Sequence, residues 1–243
     1  MELLVLEHHP TTGVCRFGDV LDGRREMVPW RAVDVTAGDV QLPRSFDEVA
    51  GLVVMGGPQS VTEAHPWLEG ELDLLRRAVD ADLPVFGVCL GAQLLAVATG
   101  GTVTTRPVPE IAFVPQRHTP VGGDDDLAAG WPAGAATFIW HGDEITVLPP
   151  DAVPLLEGPE QVTAWRVGSA FATQAHPEVD TEQIARWVEL DDLDQQLAAA
   201  GTDAEALLAE AARRERFVLA AGLSLFGRFV DGPVRRRVTG SNR

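Results

Sequence analysis

The chain has 243 residues, 45% of them hydrophobic, which is enough for one substantial core or for a core domain with an appendage. The 19 basic residues stand against 36 acidic ones, and the formal net charge of −17 repels phosphate backbones, so no nucleic-acid partner is expected. The two cysteines make no disulfide framework, the start of the chain shows no signal-peptide pattern, and the apolar run Phe217–Phe226 is too short to span a bilayer, so we expect a soluble cytoplasmic protein with no membrane partner.

The N-terminal segment opens with a short apolar run, Leu3–Leu6, that predicts a first strand. His8 and His9 lie in the loop that follows. Because no cysteine or carboxylate cluster accompanies them at ligand spacing, we interpret both as loop histidines and predict no metal site. Apolar side chains then recur at helical spacing, at Val14, Phe17 and Leu21.

Two further strands are predicted over Ala32–Val35 and Gly51–Met55, with a short turn of helix between them at Phe46–Val49. The third strand runs directly into Gly56 and Gly57, and a glycine pair there lets backbone N–H groups approach a ligand closely. The segment has neither a G-x-G-x-x-G spacing nor a following Gly-Lys-Ser/Thr, so we exclude a nucleotide site. A plain turn and an oxyanion-binding loop both fit these residues.

The next segment forms a strand–helix–strand unit. Its helix presents one apolar stripe, and its second strand spans residues 84–88. A crossover of this kind implies a parallel sheet, so we predict an α/β fold with a doubly wound, mostly parallel sheet, flanking helices and a site at the carboxyl ends of the strands. The stripe consists of Leu68, Leu72, Leu75 and Val79.

Cys89 follows this strand and precedes a predicted helix over Leu90–Ala98, with Gly87 and Gly91 two residues to either side. That spacing is typical of a nucleophile elbow, in which a strained turn holds the nucleophile and small neighbours let strand and helix close around it. The helix N-terminus also favours a thiolate. A buried structural cysteine is the alternative, but the two glycines and a downstream histidine favour a nucleophile.

After residue 101 the pattern changes to short strands. One of them ends on Trp140-His141-Gly142-Asp143, and we predict that His141 lines a binding site, with a histidine of no particular role as the alternative. The predicted strands are Thr102–Thr105, Ile111–Pro115, Ala136–Trp140, Val153–Leu156 and Gln161–Trp165.

A strand over Ser169–Gln174 leads into a His-Pro-Glu sequence. Pro177 should hold this stretch extended, and side chains two apart on an extended chain share a face. Glu178 can then accept a hydrogen bond from one imidazole nitrogen of His176 while the other nitrogen faces a nucleophile. Together with the elbow cysteine, this pair supplies a base and a group that orients it.

The last part of the chain is helical in pattern. A helix is predicted over Thr181–Leu190, and one or two more follow before residue 230. We interpret Arg235–Arg237 as a solvated, frayed terminus. The prediction is therefore a domain over residues 1–190 and a helical C-terminal extension over residues 191–243 that packs on it.

The order of the catalytic residues separates two folds. In α/β-hydrolases the acid precedes the histidine, whereas here Glu178 follows His176. The chain instead resembles the class I (triad-type) glutamine amidotransferase family, as in the glutaminase domain of GMP synthase, over roughly residues 1–190. The resemblance is carried by Met55-Gly56-Gly57-Pro58, Gly87-Val88-Cys89-Leu90-Gly91-Ala92-Gln93, Trp140-His141-Gly142-Asp143 and Gln174-Ala175-His176-Pro177-Glu178.

The resemblance implies a flavodoxin-like amidotransferase fold and a catalytic site without a cofactor. Cys89 would attack a γ-carboxamide, His176 would act as base and then as acid, and Glu178 would orient His176. Backbone N–H groups would form an oxyanion hole, and further residues would line the substrate pocket. By the resemblance, the oxyanion-hole residues are Gly57 and Leu90, and the pocket residues are Gly56, Gln93, His141 and Gly142.

Two departures from the family pattern leave the substrate open. Ala175 stands where the family usually carries a bulky residue, and no ATP-dependent synthetase domain follows the triad. The leading interpretation is a stand-alone glutaminase subunit that hydrolyses L-glutamine and passes ammonia to a separate synthase. A γ-glutamyl hydrolase acting on γ-glutamyl amines or peptides would use the same triad, and a non-catalytic regulatory module would use the same scaffold.

Overall fold

The computed structural model describes residues 1–38, 40–190 and 193–240. The strands are β1 (Glu2–Glu7), β2 (Trp30–Asp34), β3 (Val49–Val54), β4 (Val85–Val88), β5 (Thr102–Pro115), β6 (Arg117–His118), β7 (Ala136–Val147), β8 (Val153–Glu157), β9 (Val162–Val167) and β10 (Ala170–Thr173). The helices are α1 (Phe17–Asp22), α2 (Leu68–Asp80), α3 (Leu90–Ala98), α4 (Thr181–Val188), α5 (Leu193–Ala199), α6 (Ala204–Phe229) and α7 (Arg235–Thr239). A π-helical turn at Val230–Val234 joins the last two helices.

A mixed sheet lies at the centre of the molecule, in the order β2-β1-β3-β4-β10-β9-β8-β6. Strands β2, β1, β3, β4 and β10 run parallel, and β9, β8 and β6 continue the sheet antiparallel. Every residue of β3 and β4 is buried, as expected for parallel strands with helices on both faces. The predicted doubly wound, mostly parallel α/β fold is confirmed.

Helices cover both faces of the sheet. On one face, Leu75 of α2 and Leu95 of α3 belong to the same core cluster. On the other, Phe226 of α6 stacks on Phe17 of α1 with ring centroids 4.0 Å apart, and Phe86 of β4 meets Phe226 edge-on. The long C-terminal helix is therefore part of the main core, where its aromatic rings contribute a large share of the buried apolar area.

The short strands predicted after residue 101 are partly wrong. The intervals Thr102–Thr105 and Ile111–Pro115 are parts of the single strand β5, and Ala136–Trp140 is only the first part of β7. These two long strands pair with each other in a separate antiparallel ribbon.

A bulge explains the difference. The register of the ribbon shifts between Thr105 and Glu110, so that residues 106–109 protrude. Two prolines in this segment supply no N–H to the ladder, which interrupts pairing without ending the extended chain. His141 pairs with Glu110 and therefore lies inside β7, where a strand end was predicted.

Two predictions for short segments are also wrong. The predicted turn of helix at Phe46–Val49 is a non-helical turn that runs into β3. Arg235–Arg237, predicted to be frayed, begins α7. Arg237 donates from Nε and Nη2 to the carbonyls of Val49 and Phe46, each at 2.9 Å, so these bonds fix the last helix to the start of β3.

Among the described residues, the helical run Ala204–Thr239 is long and apolar enough to cross a membrane by length and composition. Half of its most apolar stretch is buried within the protein, as in a core helix, so this property alone carries little weight. The predicted extension 191–243 begins and ends on residues outside the described ranges, and the domain boundary at residue 190 stays a prediction.

Candidate active site

The carboxyl ends of β3, β4 and β10 meet at one edge of the sheet, and a cavity of about 460 Å³ opens there. Volumes of roughly 300–1,000 Å³ are typical of small-molecule sites. The predicted site residues that line the cavity are Gly57, Cys89, Gln93, His141, Gly142 and His176. The others, Gly56, Leu90 and Glu178, adjoin these lining residues.

Cys89 lies between β4 and α3 with φ 49° and ψ −105°, a conformation that a residue with a side chain adopts only under constraint. Its backbone N–H donates to the Thr173 carbonyl at 2.8 Å. A Cβ at Gly91 would lie 2.0 Å from the Val54 carbonyl oxygen, so only glycine lets α3 pack this closely on β3. The local geometry is that of a nucleophile elbow.

Cys89 is buried, and its sulfur has two polar neighbours. Gln174 donates from Nε2 to Sγ at 3.6 Å, and the Trp140 carbonyl oxygen also lies 3.6 Å from Sγ. A side-chain amide that donates to the sulfur stabilises the negatively charged thiolate more than the neutral thiol.

His176 and Glu178 follow β10. Pro177 and Glu178 lie in a turn, where an extended stretch was predicted. The expected contact is nevertheless present, since Nδ1 of His176 lies 2.7 Å from Oε1 of Glu178 and both side chains are buried. The backbone N–H of His176 also donates to the Phe138 carbonyl at 2.8 Å. Because the carboxylate engages Nδ1, Nε2 is the nitrogen left for proton exchange.

The imidazole and the sulfur flank one glycine. A Cβ at Gly56 would lie 3.1 Å from Cε1 of His176 and 3.6 Å from Cβ of Cys89. Burial lowers the pKa of His176, but the negative charges of Glu178 and Cys89 outweigh this effect and raise that pKa to about 10. The imidazole is therefore protonated at neutral pH and lies beside the sulfur as a cation.

Two backbone N–H groups lie near this pair. Leu90 is the first residue of α3, and a Cβ at Gly57 would come within 2.9 Å of the Leu90 side chain. Neither amide donates a hydrogen bond to another described residue. The Leu90 amide also carries the positive end of the helix dipole. Both predicted oxyanion-hole donors therefore lie beside Cys89 with their N–H groups free to bind a ligand.

The polar wall of the cavity is built around one carbonyl. Nε2 of Gln93 donates to the Asp143 carbonyl at 2.9 Å, and Nδ1 of His141 lies 2.6 Å from the same oxygen. Nε2 of His141 lies 3.2 Å from the Glu110 carboxylate, and this hydrogen bond holds the pKa of Glu110 below its ordinary value. Because both of its nitrogens are engaged, the His141 ring shapes the pocket wall and offers no free nitrogen to a ligand.

Sequence reasoning missed several residues of the cavity. Trp187 of α4 sets its ring edge-on against His176, with centroids 5.0 Å apart. Ser60 hydrogen-bonds the Asp143 carboxylate, and Gln196 of α5 adds a polar group to the lining. Helical spacing predicted the helix that carries Trp187, but it gives no indication that this side chain reaches a histidine on another element.

Ala175 and Cys15 lie outside the cavity lining. Ala175 packs instead in a small cluster with Ile139. Burial raises the pKa of the Cys15 thiol far above its ordinary value, and the negative charges of Glu178 and Asp180 add to this effect. Cys15 is therefore a poor nucleophile at neutral pH.

The two loop histidines have separate surroundings. His9 lines the cavity and lies 2.8 Å from the Thr11 hydroxyl through its Nδ1. His8 is buried away from the cavity and lies 3.1 Å from the Glu71 carboxylate. Across the described part of the chain, no group of three or more His, Cys, Asp or Glu side chains is arranged to hold a metal ion.

Comparison with known proteins gives related sequences. A GMP synthase (glutamine-hydrolysing) of Aliivibrio fischeri is 33% identical over 149 residues, which cover 60% of this chain and 26% of that protein. The glutamine amidotransferase-like protein YfeJ of Salmonella typhimurium is 34% identical over 158 residues, which cover 62% of this chain and 65% of that protein. The chain thus spans about a quarter of the GMP synthase and somewhat under two thirds of YfeJ.

Solved structures and a family model agree with these relatives. A glutamine amidotransferase from Methylobacillus flagellatus has a TM-score of 0.83 at 28% identity, over 95% of this chain and 94% of that one. A glutamine amidotransferase from Thermotoga maritima has a TM-score of 0.81 at 24% identity, over 96% and 99%, and supports the fold alone. The model of the class I glutamine amidotransferases matches residues 24–189, which include the elbow and the His-Pro-Glu turn. The chain therefore belongs to the class I glutamine amidotransferase family.

Proposed function

We propose that this chain is a glutaminase that hydrolyses the γ-carboxamide of L-glutamine through Cys89, His176 and Glu178. The observation that carries the proposal is a strained elbow cysteine beside a buried imidazole whose second nitrogen is held by a carboxylate. Sulfur, base and orienting group adjoin one another at one cavity, which is the arrangement that nucleophilic catalysis needs. Membership of an amidotransferase family supports an amide as the substrate.

The first half of the reaction forms a thioester. The Cys89 thiolate bonds to the γ-carbonyl carbon while the carbonyl π electrons move to oxygen, and the N–H groups of Gly57 and Leu90 stabilise that oxyanion. The adduct then collapses, the C–N bond breaks, and Nε2 of His176 gives its proton to the departing nitrogen. Ammonia leaves, and the γ-glutamyl group stays on the sulfur.

The second half releases glutamate. A water molecule gives a proton to the now neutral His176 and attacks the thioester carbon. The C–S bond breaks, and the thiolate and imidazolium are restored, so one water is consumed for one ammonia and one glutamate. Glu178 holds Nδ1 throughout, which keeps proton exchange at Nε2.

We further propose that the ammonia passes to a synthase on a separate chain in the cytoplasm. The relatives named GMP synthase (glutamine-hydrolysing) combine the two activities in their name, and the match covers 26% of one such protein. A chain that corresponds to this part of the relative would supply ammonia, while another chain would consume it.

A γ-glutamyl hydrolase acting on γ-glutamyl amines or peptides is the second candidate. Besides the polar wall, the cavity has an apolar wall that includes Trp187, Leu190 and Leu193. Such a wall can bury a substituent on the leaving nitrogen, which glutamine lacks. The same residues would perform the same steps, with an amine leaving in place of ammonia.

Glutamate and ammonia release by the purified protein tests both candidates, with L-glutamine, γ-glutamyl amines and γ-glutamyl dipeptides as substrates. Cys89→Ala should lower turnover by about 10⁴-fold or more, because no other group can form the thioester. Its circular dichroism spectrum should stay that of the wild type. Cys15→Ala is the matched control and should keep wild-type turnover, because Cys15 lies outside the cavity.

Each result leads to a different conclusion. Cys89-dependent release from glutamine supports the glutaminase, and release confined to γ-glutamyl amines or peptides supports the second candidate. Turnover that survives Cys89→Ala contradicts the mechanism. Silence on every substrate, combined with a Cys89 thiol that iodoacetamide does not alkylate near neutral pH, would favour a non-catalytic module.

A further inference from the structure

The loop after β1 holds one peptide unit of the site in place. We propose that Thr12 is a positioning residue whose hydroxyl fixes the Gly56–Gly57 peptide, so that the Gly57 N–H points at the reacting carbonyl oxygen. This inference rests on the proposed function, because it assigns that N–H to the stabilisation of an oxyanion.

The geometry of the Gly56–Gly57 peptide shows which way its N–H points. Thr12 Oγ1 donates to the Gly56 carbonyl at 2.9 Å, and the same hydroxyl lies 3.2 Å from the His9 carbonyl. A trans peptide points its C=O and N–H in opposite directions, and the described residues contain no cis peptide. Strand β3 lies between β1 and β4. The Gly56 carbonyl points toward the loop after β1, so the N–H of Gly57 on the same peptide points the opposite way, toward Cys89 after β4.

Because this peptide joins two successive glycines, it needs a hydrogen bond to fix its orientation. The peptide between Gly56 and Gly57 can rotate with little steric resistance, since neither residue has a side chain. A rotated peptide would present its carbonyl oxygen to the cavity, where it would repel the oxyanion. The Thr12 hydroxyl favours the productive orientation by giving that carbonyl a donor on the side away from Cys89.

The loop that carries Thr12 is anchored to α4. The carbonyl of Thr11 accepts hydrogen bonds from Nε2 of Gln183 and Nε1 of Trp187, each at 2.8 Å. The ring of Trp187 also contacts His176. One side chain of α4 therefore contacts the general base and fixes the loop that holds the oxyanion peptide.

A buried pair of hydrogen-bonded side chains, His8 and Glu71, lies behind the same peptide. A Cβ at Gly57 would lie 2.8 Å from Cβ of His8, so the His8 side chain starts directly behind the peptide. His8 is fixed by the Glu71 carboxylate at 3.1 Å and by the Trp67 ring, with centroids 5.1 Å apart. Gln59 donates from Nε2 to the His8 carbonyl at 2.7 Å, which closes the loop against β1.

The test measures kcat and KM for Thr12→Val and Thr12→Ser on whichever substrate the wild type turns over. Valine keeps the shape of threonine and removes the hydroxyl, so kcat should fall about 10- to 100-fold, less than the roughly 10²- to 10³-fold loss seen when an oxyanion donor itself is removed, because the Gly57 N–H remains. KM should change by less than about threefold, because the oxyanion exists only on the reaction path. Serine keeps the hydroxyl and should restore most of kcat.

Thr99→Val is the matched control. It removes a hydroxyl that donates to the Leu95 carbonyl at 2.7 Å at the far end of α3, outside the cavity lining. Its kcat should equal that of the wild type. Alkylation of Cys89 by iodoacetamide is a second readout, because displacement of iodide develops no oxyanion, and its rate in Thr12→Val should stay within about twofold of the wild type.

The outcomes separate this inference from the proposed function. Equal kcat in Thr12→Val and Thr99→Val would overturn the role of Thr12 and leave the glutaminase intact. Loss of alkylation in parallel with turnover, or a serine variant as slow as the valine variant, would overturn it as well. A wild type without Cys89-dependent turnover would overturn the proposed function and this inference with it.

Discussion

Two opposing effects act on the pKa of the His176 ring. Burial favours its neutral form, whereas the charges of Glu178 and Cys89 favour the imidazolium and raise its pKa to about 10. A histidine whose pKa is raised in the folded state contributes stability that is complete below its ordinary pKa of about 6.5 and is lost as the pH rises through about 10.

We therefore expect the free energy of unfolding to fall between about pH 7 and pH 10.5 in the wild type, and to fall less in His176→Gln. Glu178→Gln should move the decline to lower pH, because it removes the carboxylate charge that raises the pKa of His176. Urea unfolding followed by tryptophan fluorescence measures both effects. The chain has no lysine and no tyrosine, so few other side chains change charge in this range, and the comparison with His176→Gln isolates the contribution of the histidine. The same pH dependence in wild type and His176→Gln would contradict the ion pair.

Single residues were predictable where the signal is local. The spacing around Cys89 and the interval between His176 and Glu178 each lie within a few residues, and local spacing predicts which side chains share a face. The bond from Thr12 to Gly56 joins residues 44 apart in sequence, and the bond from Trp187 to Thr11 joins residues 176 apart. Contacts of that range depend on how elements pack, which no local spacing reports.

At the scale of elements, α6 packs directly against the turn that carries His176. A Cβ at Gly222 would lie 2.0 Å from the Pro177 carbonyl oxygen. We expect Gly222→Ala to force the helix and the turn apart, to lower the thermal midpoint by about 5 °C and to reduce turnover with it. Differential scanning fluorimetry and the glutaminase assay measure the two effects.

Gly227→Ala is the matched control on the same helix. Its Cβ would meet only the end of the flexible Arg24 side chain, at 3.4 Å. Alanine is the better helix former, so this variant should be neutral or more stable by up to about 1 kcal/mol. Similar losses in both variants would show that the destabilisation does not arise from the contact between Gly222 and Pro177.

Helices and strands were predicted best where one hydrophobic pattern runs through the whole segment. Helix α3 occupies the predicted interval Leu90–Ala98, because every position there except Gln93 is apolar or small, and a strand and a glycine pair bound the interval. The ribbon of β5 and β7 was predicted as separate short strands, because prolines in segment 106–109 resemble strand ends in sequence. Only the pairing partner shows that the chain continues through them.

For the whole molecule, alternating strands and helices sufficed to predict a parallel core, since a crossover leaves few other topologies. The position of β10 could not be predicted in the same way. This strand lies about 80 residues after β4 in the sequence, yet the two strands pair, and the pairing brings His176 beside Cys89. That pairing depends on nonlocal burial, for which the sequence carries no short-range signal.

The net charge gives a prediction for the molecule as a whole. With 36 acidic against 19 basic residues, like-charge repulsion is stronger in the compact state than in the unfolded chain. Raising NaCl from about 10 mM to about 0.5 M at neutral pH should increase the thermal midpoint by a few degrees, because the screening length falls well below 10 Å. Near the sequence pI of about 4.6 the same addition should have little effect. An unchanged midpoint at neutral pH would show that this repulsion is not significant.

The backbone conformation of Cys89 also bears on which residues could replace it during evolution. A side chain at φ 49° costs the fold about 1–3 kcal/mol that glycine would avoid, so mutation toward glycine would be favoured if stability were the only trait under selection. Stability alone therefore does not explain why a residue with a side chain occupies this position, whereas a need for the sulfur atom does. If a related chain no longer needed this thiol, position 89 should be among the first residues to change, while the surrounding sheet persists.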